Sequence, residues 1–257
     1  MSIRMEHVGT VAVVTLDDPT SRNALTGQSA SQLIECLRQA EATSHVCSVL
    51  IRGEAGNFCS GADRALLARV RQAPGDVAVI EELEAIYAAF GVLAALDVPT
   101  IAAVRGSAVG AGVNLALAAD VRVVSTKARF ISGFLRIQLH PGGGHFLMLD
   151  RLAGPQAAAA MTLLGDQVSG EDLVRRGLAW DAVPDAEVDA RALELAGGAQ
   201  DPELVRVATR SFRAQAASRQ MPLAAASRAE QAAQLWSIAR SGEGRQPAAG
   251  EPGHPAE

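Results

Sequence analysis

Two kinds of stretch take turns along this chain. Short apolar or alternating runs at residues 8–16, 46–51, 101–104 and 121–125 read as β-strands, with a further short one at 128–131. Stretches with helical spacing lie between them. Thr26 is placed to cap a helix whose inward face carries Leu33, Ile34, Leu37 and Ala40. Residues 77–96 read as a long amphipathic helix. Residues 53–63 form a Gly-rich loop of small residues, and the Arg-rich segment after it, to about residue 76, reads as mobile.

The chain is organised around residues 100–120. The strand breaks at Arg105-Gly106, and Gly110-Ala111-Gly112 leads into a helix that is apolar almost all round and stops at Asp120. Such a helix belongs in the core. Small residues at its start let a ligand approach the backbone closely. The first N–H groups of a helix lack intrahelical partners and carry partial positive charge. Together these features describe a donor aimed at a developing oxyanion. One polar side chain, Asn114, interrupts the helix, either as a hydrogen-bonded core amide or as a site group.

Further on, residues 132–144 read as a loop ending in His140-Pro141-Gly142-Gly143-Gly144. A helix is expected over 145–152. Gly154-Pro155 punctuates it, and an Ala-rich helix follows to Leu164. Ser169-Gly170-Glu171-Asp172 resembles a helix start, and Gly177-Leu178 an exit into a strand ending near Val183. Residues 186–239 have a helical pattern broken at Asp201-Pro202. The alternation predicts an α/β fold. The expected division is a core at 1–195, a helical region at 196–240 and a disordered tail at 241–257, which is rich in Gly, Pro and Glu.

Composition narrows the function. The chain has 257 residues, 49% of them hydrophobic, enough for a sizeable core. Its net charge of −5 comes with no basic cluster, so no nucleic-acid partner is expected. Cys36, Cys47 and Cys59 suggest neither a disulfide framework nor a metal site, which fits a reducing, cytoplasmic setting. There is no signal-peptide pattern at the N-terminus and no apolar run of membrane-span length, so no membrane partner is expected.

Four motifs then fall in order: Arg22-Asn23-Ala24-Leu25; Asn57-Phe58-Cys59-Ser60-Gly61-Ala62-Asp63; Ala102 to Gly106 leading to Gly110-Ala111-Gly112 and Ala119-Asp120; and Pro141-Gly142-Gly143-Gly144 with Arg151-Leu152-Ala153-Gly154. Their order and spacing resemble the crotonase (enoyl-CoA hydratase/isomerase) superfamily over roughly residues 5–240. The resemblance implies a spiral of ββα units with a C-terminal helical region used in trimer formation. A homotrimer or a dimer of trimers is therefore expected. The implied ligand is an acyl-CoA thioester, with no cofactor beyond its CoA moiety, and the implied setting is fatty acid metabolism by a lyase or isomerase. The family's two backbone N–H groups that polarise the thioester carbonyl fall at Ala62 and Ala111. Arg22, Ala24, Ser60, Gly61, Ala62, Asp63 and Gly110 match positions that hold the CoA or line the site. The solvated surface remains an alternative for Arg22, and a loop-capping role for Asp63.

The chain departs from the family where proton chemistry is concerned. Hydratases of this family use two glutamates. The first falls three residues after the second oxyanion donor, where this chain has Asn114. The second falls seven residues before the proline of the Pro-Gly-Gly motif, where it has Phe134. No glutamate occurs between Glu84 and Glu171. An amide does not exchange protons at neutral pH, and a phenyl ring has no proton to exchange. General acid–base catalysis typically supplies about 10²- to 10⁴-fold, so ordinary hydratase activity is expected to be weak. His140, His145 and water held by Asn114 are the candidates for handling a proton. The alternative is a non-catalytic acyl-CoA carrier or sensor.

Overall fold

The computed structural model describes residues 2–216, together with 231 and 236. In chain order the elements begin with β1 (Ser2–Val8), β2 (Val11–Asp17), α1 (Gly27–Ala42), β3 (Ser48–Gly53), α2 (Arg64–Gln72) and α3 (Val77–Ala95). The middle of the chain gives β4 (Thr100–Val104), β5 (Ser107–Val109), α4 (Ala111–Ala118), β6 (Val121–Ser125) and β7 (Arg129–Ile131). Then come α5 (His145–Leu163), β8 (Gln167–Ser169), α6 (Glu171–Arg175), β9 (Asp181–Val183), α7 (Val188–Ala196) and α8 (Pro202–Ala216).

Six strands form one sheet in the order β1-β2-β3-β4-β6-β9, and β5-β7-β8 form a second. In the larger sheet β1 pairs antiparallel with β2, and every later pairing is parallel. A parallel sheet is covered on both faces, and its strands therefore read as continuous apolar runs. In β2, Ala12, Val14 and Leu16 join the main core with residues of α1, α3 and α4, whereas Val11 and Val13 join a second core with Val188, Ala192 and Ala196 of α7. The spiral repeat is visible in the order of elements. A strand of the larger sheet, a strand of the smaller one and a helix follow each other as β4–β5–α4, then as β6–β7–α5.

Some sequence expectations need correction. Residues 2–8 form an edge strand, β1, which turns only Ile3 and Met5 toward the core, and both are only partly buried. The segment expected to be mobile contains α2, which starts where the Asp63 carboxylate accepts hydrogen bonds from the N–H groups of Ala65 and Leu66. α2 is only nine residues long and carries three arginines; Leu66 is buried and Val70, one turn on, packs against the main core. The expected break at Gly154-Pro155, by contrast, is present: within α5 two helices meet at Gly154, whose φ of 80° and ψ of 169° are not helical.

The chain divides into two units, Met1–Pro202 and Glu203–Glu257. The expected helical region is described only as far as residue 216, and the expected disordered tail lies outside the described residues. Among the described residues no helix is long and apolar enough to cross a membrane. Among the same residues no group of three or more His, Cys, Asp or Glu side chains is placed to hold a metal ion.

Candidate active site

Two loops and the start of α4 are stitched into one wall. Ser60 N–H donates to Arg22 O at 3.0 Å, and its hydroxyl donates to Ser21 O at 2.8 Å. Leu25 N–H donates to Gly61 O at 2.7 Å, and Leu25 O accepts from Asp63 N–H at 2.8 Å. These bonds make Leu25 and Ala62 a parallel bridge pair. Leu25 spends both of its backbone groups on the neighbours of Ala62, so the N–H of Ala62 itself faces the other way. A second bridge joins Cys59 to Ala108, with Val109 N–H donating to Cys59 O at 3.0 Å.

Glycine permits this approach. Gly61 sits at φ +96°, and a Cβ there would lie 2.6 Å from Val109 O and 3.7 Å from Ala111 N. A Cβ on Gly112 would lie 2.3 Å from Cys59 O. The loop carrying Ala62 is thereby pressed against the first turn of α4. Ala111 is the first residue of that buried helix. Neither the Ala62 nor the Ala111 N–H is matched with a protein acceptor among the described residues.

Both alanines line a cavity of about 280 Å³. Its apolar lining includes Leu67, Leu83, Ile86, Ile137 and Leu139, while Ser60, Asn114, Ser132 and Tyr87 supply polar atoms. A pocket that is mostly apolar with a few convergent polar groups is the usual form of a small-molecule site.

A hydrogen-bonded chain of three buried side chains reaches the cavity from behind. Ser132, His145 and Asn114 are 2%, 1% and 0% exposed. The Asn114 amide nitrogen donates to Gly142 O at 2.9 Å. Its carbonyl oxygen must then face His145, and accepts from Nδ1–H of that ring at 2.6 Å. With the proton on Nδ1, Nε2 is the acceptor, and the Ser132 hydroxyl donates to it at 2.5 Å. Burial pushes the His145 imidazole down to about 4, so the ring is neutral at neutral pH. Phe134 packs edge-on against His145, with ring centroids 4.9 Å apart, and also lines the cavity.

The structure thus gathers Ser60, Gly61, Ala62, Gly110, Ala111 and Asn114 on one cavity and places His145 directly behind it. Arg22 and Ala24 lie in the segment laced to residues 60–63; Arg22 is exposed and Ala24 buried. The Asp63 carboxylate is taken up by capping α2. His140 is not brought in: it is exposed, its Nδ1 bonds to Pro141 O at 2.7 Å, and its ring packs on Phe146. Cys59 is fully buried, and burial pushes its thiol up to about 12, which leaves it inert. Ser132 is the residue that sequence reasoning missed. It is a single serine in a loop, 13 positions before the histidine it bonds, and no local motif marks it.

Comparison with known proteins shows the family and the fold. The profile of the Enoyl-CoA hydratase/isomerase family matches residues 6–247. The chain belongs to that family, within the crotonase superfamily. It is 43% identical over 208 residues to the "Probable enoyl-CoA hydratase EchA14" of Mycobacterium tuberculosis H37Rv, an alignment covering 80% of this chain and 79% of that one. It is 33% identical to the 1,2-epoxyphenylacetyl-CoA isomerase of Escherichia coli K12, covering 76% and 75% of the two chains. Among solved structures, an enoyl-CoA hydratase from Polaromonas sp. JS666 superposes with a TM-score of 0.84 at 26% identity, covering 94% and 93%. A Thermobifida fusca YX protein of the enoyl-CoA hydratase type, solved in complex with acetoacetyl-CoA, gives 0.80 at 28% identity, covering 93% and 95%. Family membership shows the crotonase fold and the hydratase/isomerase lineage.

Proposed function

We propose that this protein binds an acyl-CoA thioester and stabilises its enolate through the backbone N–H groups of Ala62 and Ala111. The observation that carries this reading is the pair of unmatched N–H groups on one cavity wall, one of them at the N-terminus of a buried helix. Each such donor is worth roughly 2.7–4 kcal/mol in a transition state that gathers negative charge on oxygen. The acetoacetyl-CoA complex of the Thermobifida relative supports the ligand class. The acyl chain fills the apolar cavity. Arg64 at the cavity and Arg22 in the adjoining segment offer guanidinium groups to the CoA phosphates. Self-association into trimers, common to the resemblance, is supported by exposed apolar side chains such as Leu164 at 84% and Trp180 at 66%.

The test is binding of butyryl-CoA and crotonyl-CoA, with hydration of crotonyl-CoA followed on the same sample. Binding is expected with hydration about 10²-fold or more below that of a hydratase with both carboxylates. Failure to bind either thioester overturns the reading. Asn114 and Phe134 favour one second reading, a non-catalytic acyl-CoA carrier or sensor; binding without any proton transfer to or from the thioester would select it.

A further inference from the structure

The cavity has an oxyanion wall but no carboxylate where the family places its proton-handling groups. The hydrogen-bonded chain behind it supplies another route. The orientation of every link is forced. Gly142 O only accepts, so the Asn114 amide nitrogen faces it and the amide oxygen faces His145. The amide oxygen only accepts, so His145 carries its proton on Nδ1. Nε2 is left as an acceptor, so the Ser132 hydroxyl points its proton at the ring. Ser132 therefore turns oxygen lone pairs, not its proton, toward the cavity it lines. Its backbone also abuts the oxyanion wall: a Cβ on Gly110, next to Ala111, would lie 3.5 Å from Ser132 O.

We infer that Ser132 is a catalytic residue that accepts and returns the Cα proton of the bound thioester, with His145 and Asn114 as its positioning residues. The inference rests on the acyl-CoA reading of the cavity. In the step, the Cα–H bond breaks and Ser132 Oγ takes that proton. The Ser132 hydroxyl proton passes to His145 Nε2. The C–H electron pair forms the Cα=C bond, and the carbonyl pair moves onto the thioester oxygen, where the Ala62 and Ala111 N–H groups hold it. Reversal returns a proton to Cα and restores the neutral ring. Nothing is oxidised or reduced, and no further reactant enters. The lowered basicity of buried His145 keeps the ring in its accepting form throughout the neutral range, and makes its imidazolium a transient that gives its proton back readily.

The test is exchange of the α-protons of butyryl-CoA for deuterium in D₂O, followed by NMR or mass, with the Kd measured on the same samples. The intact protein is expected to exchange them. Ser132→Ala is expected to lose about 10²- to 10⁴-fold in exchange rate while its Kd stays within about threefold, a split that a merely structural serine would not give. His145→Gln is expected to lose exchange in the same sense, again with binding retained. Full exchange in Ser132→Ala overturns the assignment, as does binding by the intact protein with no exchange. Loss of exchange in Tyr87→Phe with Ser132→Ala unaffected moves the role to the tyrosine hydroxyl at the cavity and overturns it too. Release of CoA with an acyl adduct on Ser132 makes the serine a nucleophile and contradicts the proton role. Absence of butyryl-CoA binding removes the acyl-CoA reading itself, which separates that failure from the others.

Discussion

The two walls of the cavity are built from different material. The wall at residues 60–62 and 110–112 is backbone: the chemistry proposed for it resides in two N–H groups, and its side chains are hydrogen, methyl and one hydroxymethyl. The wall formed by Asn114, Ser132 and Phe134, with His145 behind, is side chain, and its chemistry depends on which residues occupy those positions. Substitution touches the two unequally. Backbone donors survive any residue other than proline that keeps the local conformation, so alanine at both proposed oxyanion positions costs them nothing. A side-chain wall is rewritten by single replacements, and on the proposed reading an amide and a phenyl ring stand where the resemblance implies carboxylates. On that reading a thioester-polarising wall and its acid–base partner separate within one fold.

Substitutions that remove a backbone donor should break this contrast most sharply. Ala111→Pro deletes the N–H at the first helical position, where proline is otherwise well tolerated. We expect it to slow α-proton exchange about 10²- to 10³-fold with the far-ultraviolet circular dichroism unchanged. On the side-chain wall, buried His145 predicts a pH effect of comparable size. Its folded value of about 4 lies below the unfolded 6.5, so the unfolded chain binds the extra proton first. Its contribution to stability is complete above about pH 6.5 and is lost as pH falls toward 4, a loss of about 3 kcal/mol. Urea midpoints at pH 7 and pH 4.5 check it, and the drop should shrink in His145→Gln. Gly61→Ala forces a Cβ to 2.6 Å from Val109 O at φ +96° and should cost roughly 1–3 kcal/mol of stability in urea titration. Asp63→Ala removes only the cap of α2, with a cost of about 1 kcal/mol and exchange activity retained. Ala62→Gly keeps the donor and should leave the exchange rate within about threefold.

The backbone wall was legible in the sequence, and the side-chain wall was not. Gly110-Ala111-Gly112 at the start of a helix apolar but for Asn114 announces an accessible helix N-terminus, and the structure has α4 starting there with every residue buried. The parallel strands declared themselves as short apolar runs because both of their faces are covered. The edge strand β1 and the helix α2 were missed because their inward faces are short, Ile3 and Met5 in the one and Leu66 and Val70 in the other, amid polar and charged neighbours. Asn114 and His145 stood out as individual residues. Their contact joins positions 31 apart, and the third member, Ser132, belongs to no motif. Sequence spacing carries local geometry. The folding of the loop after β7 onto the start of α5 is what turns three scattered polar residues into one chain.

The measurement that meets the central claim most directly is the carbonyl stretch of [1-¹³C]butyryl-CoA bound to the protein, read by isotope-edited infrared difference spectroscopy. Two N–H groups aimed at the thioester oxygen polarise the C=O bond. The band should therefore move to lower frequency on binding, and Ala111→Pro should reverse much of that shift while still binding the ligand. A bound carbonyl that absorbs where the free thioester does would contradict a backbone oxyanion site at Ala62 and Ala111.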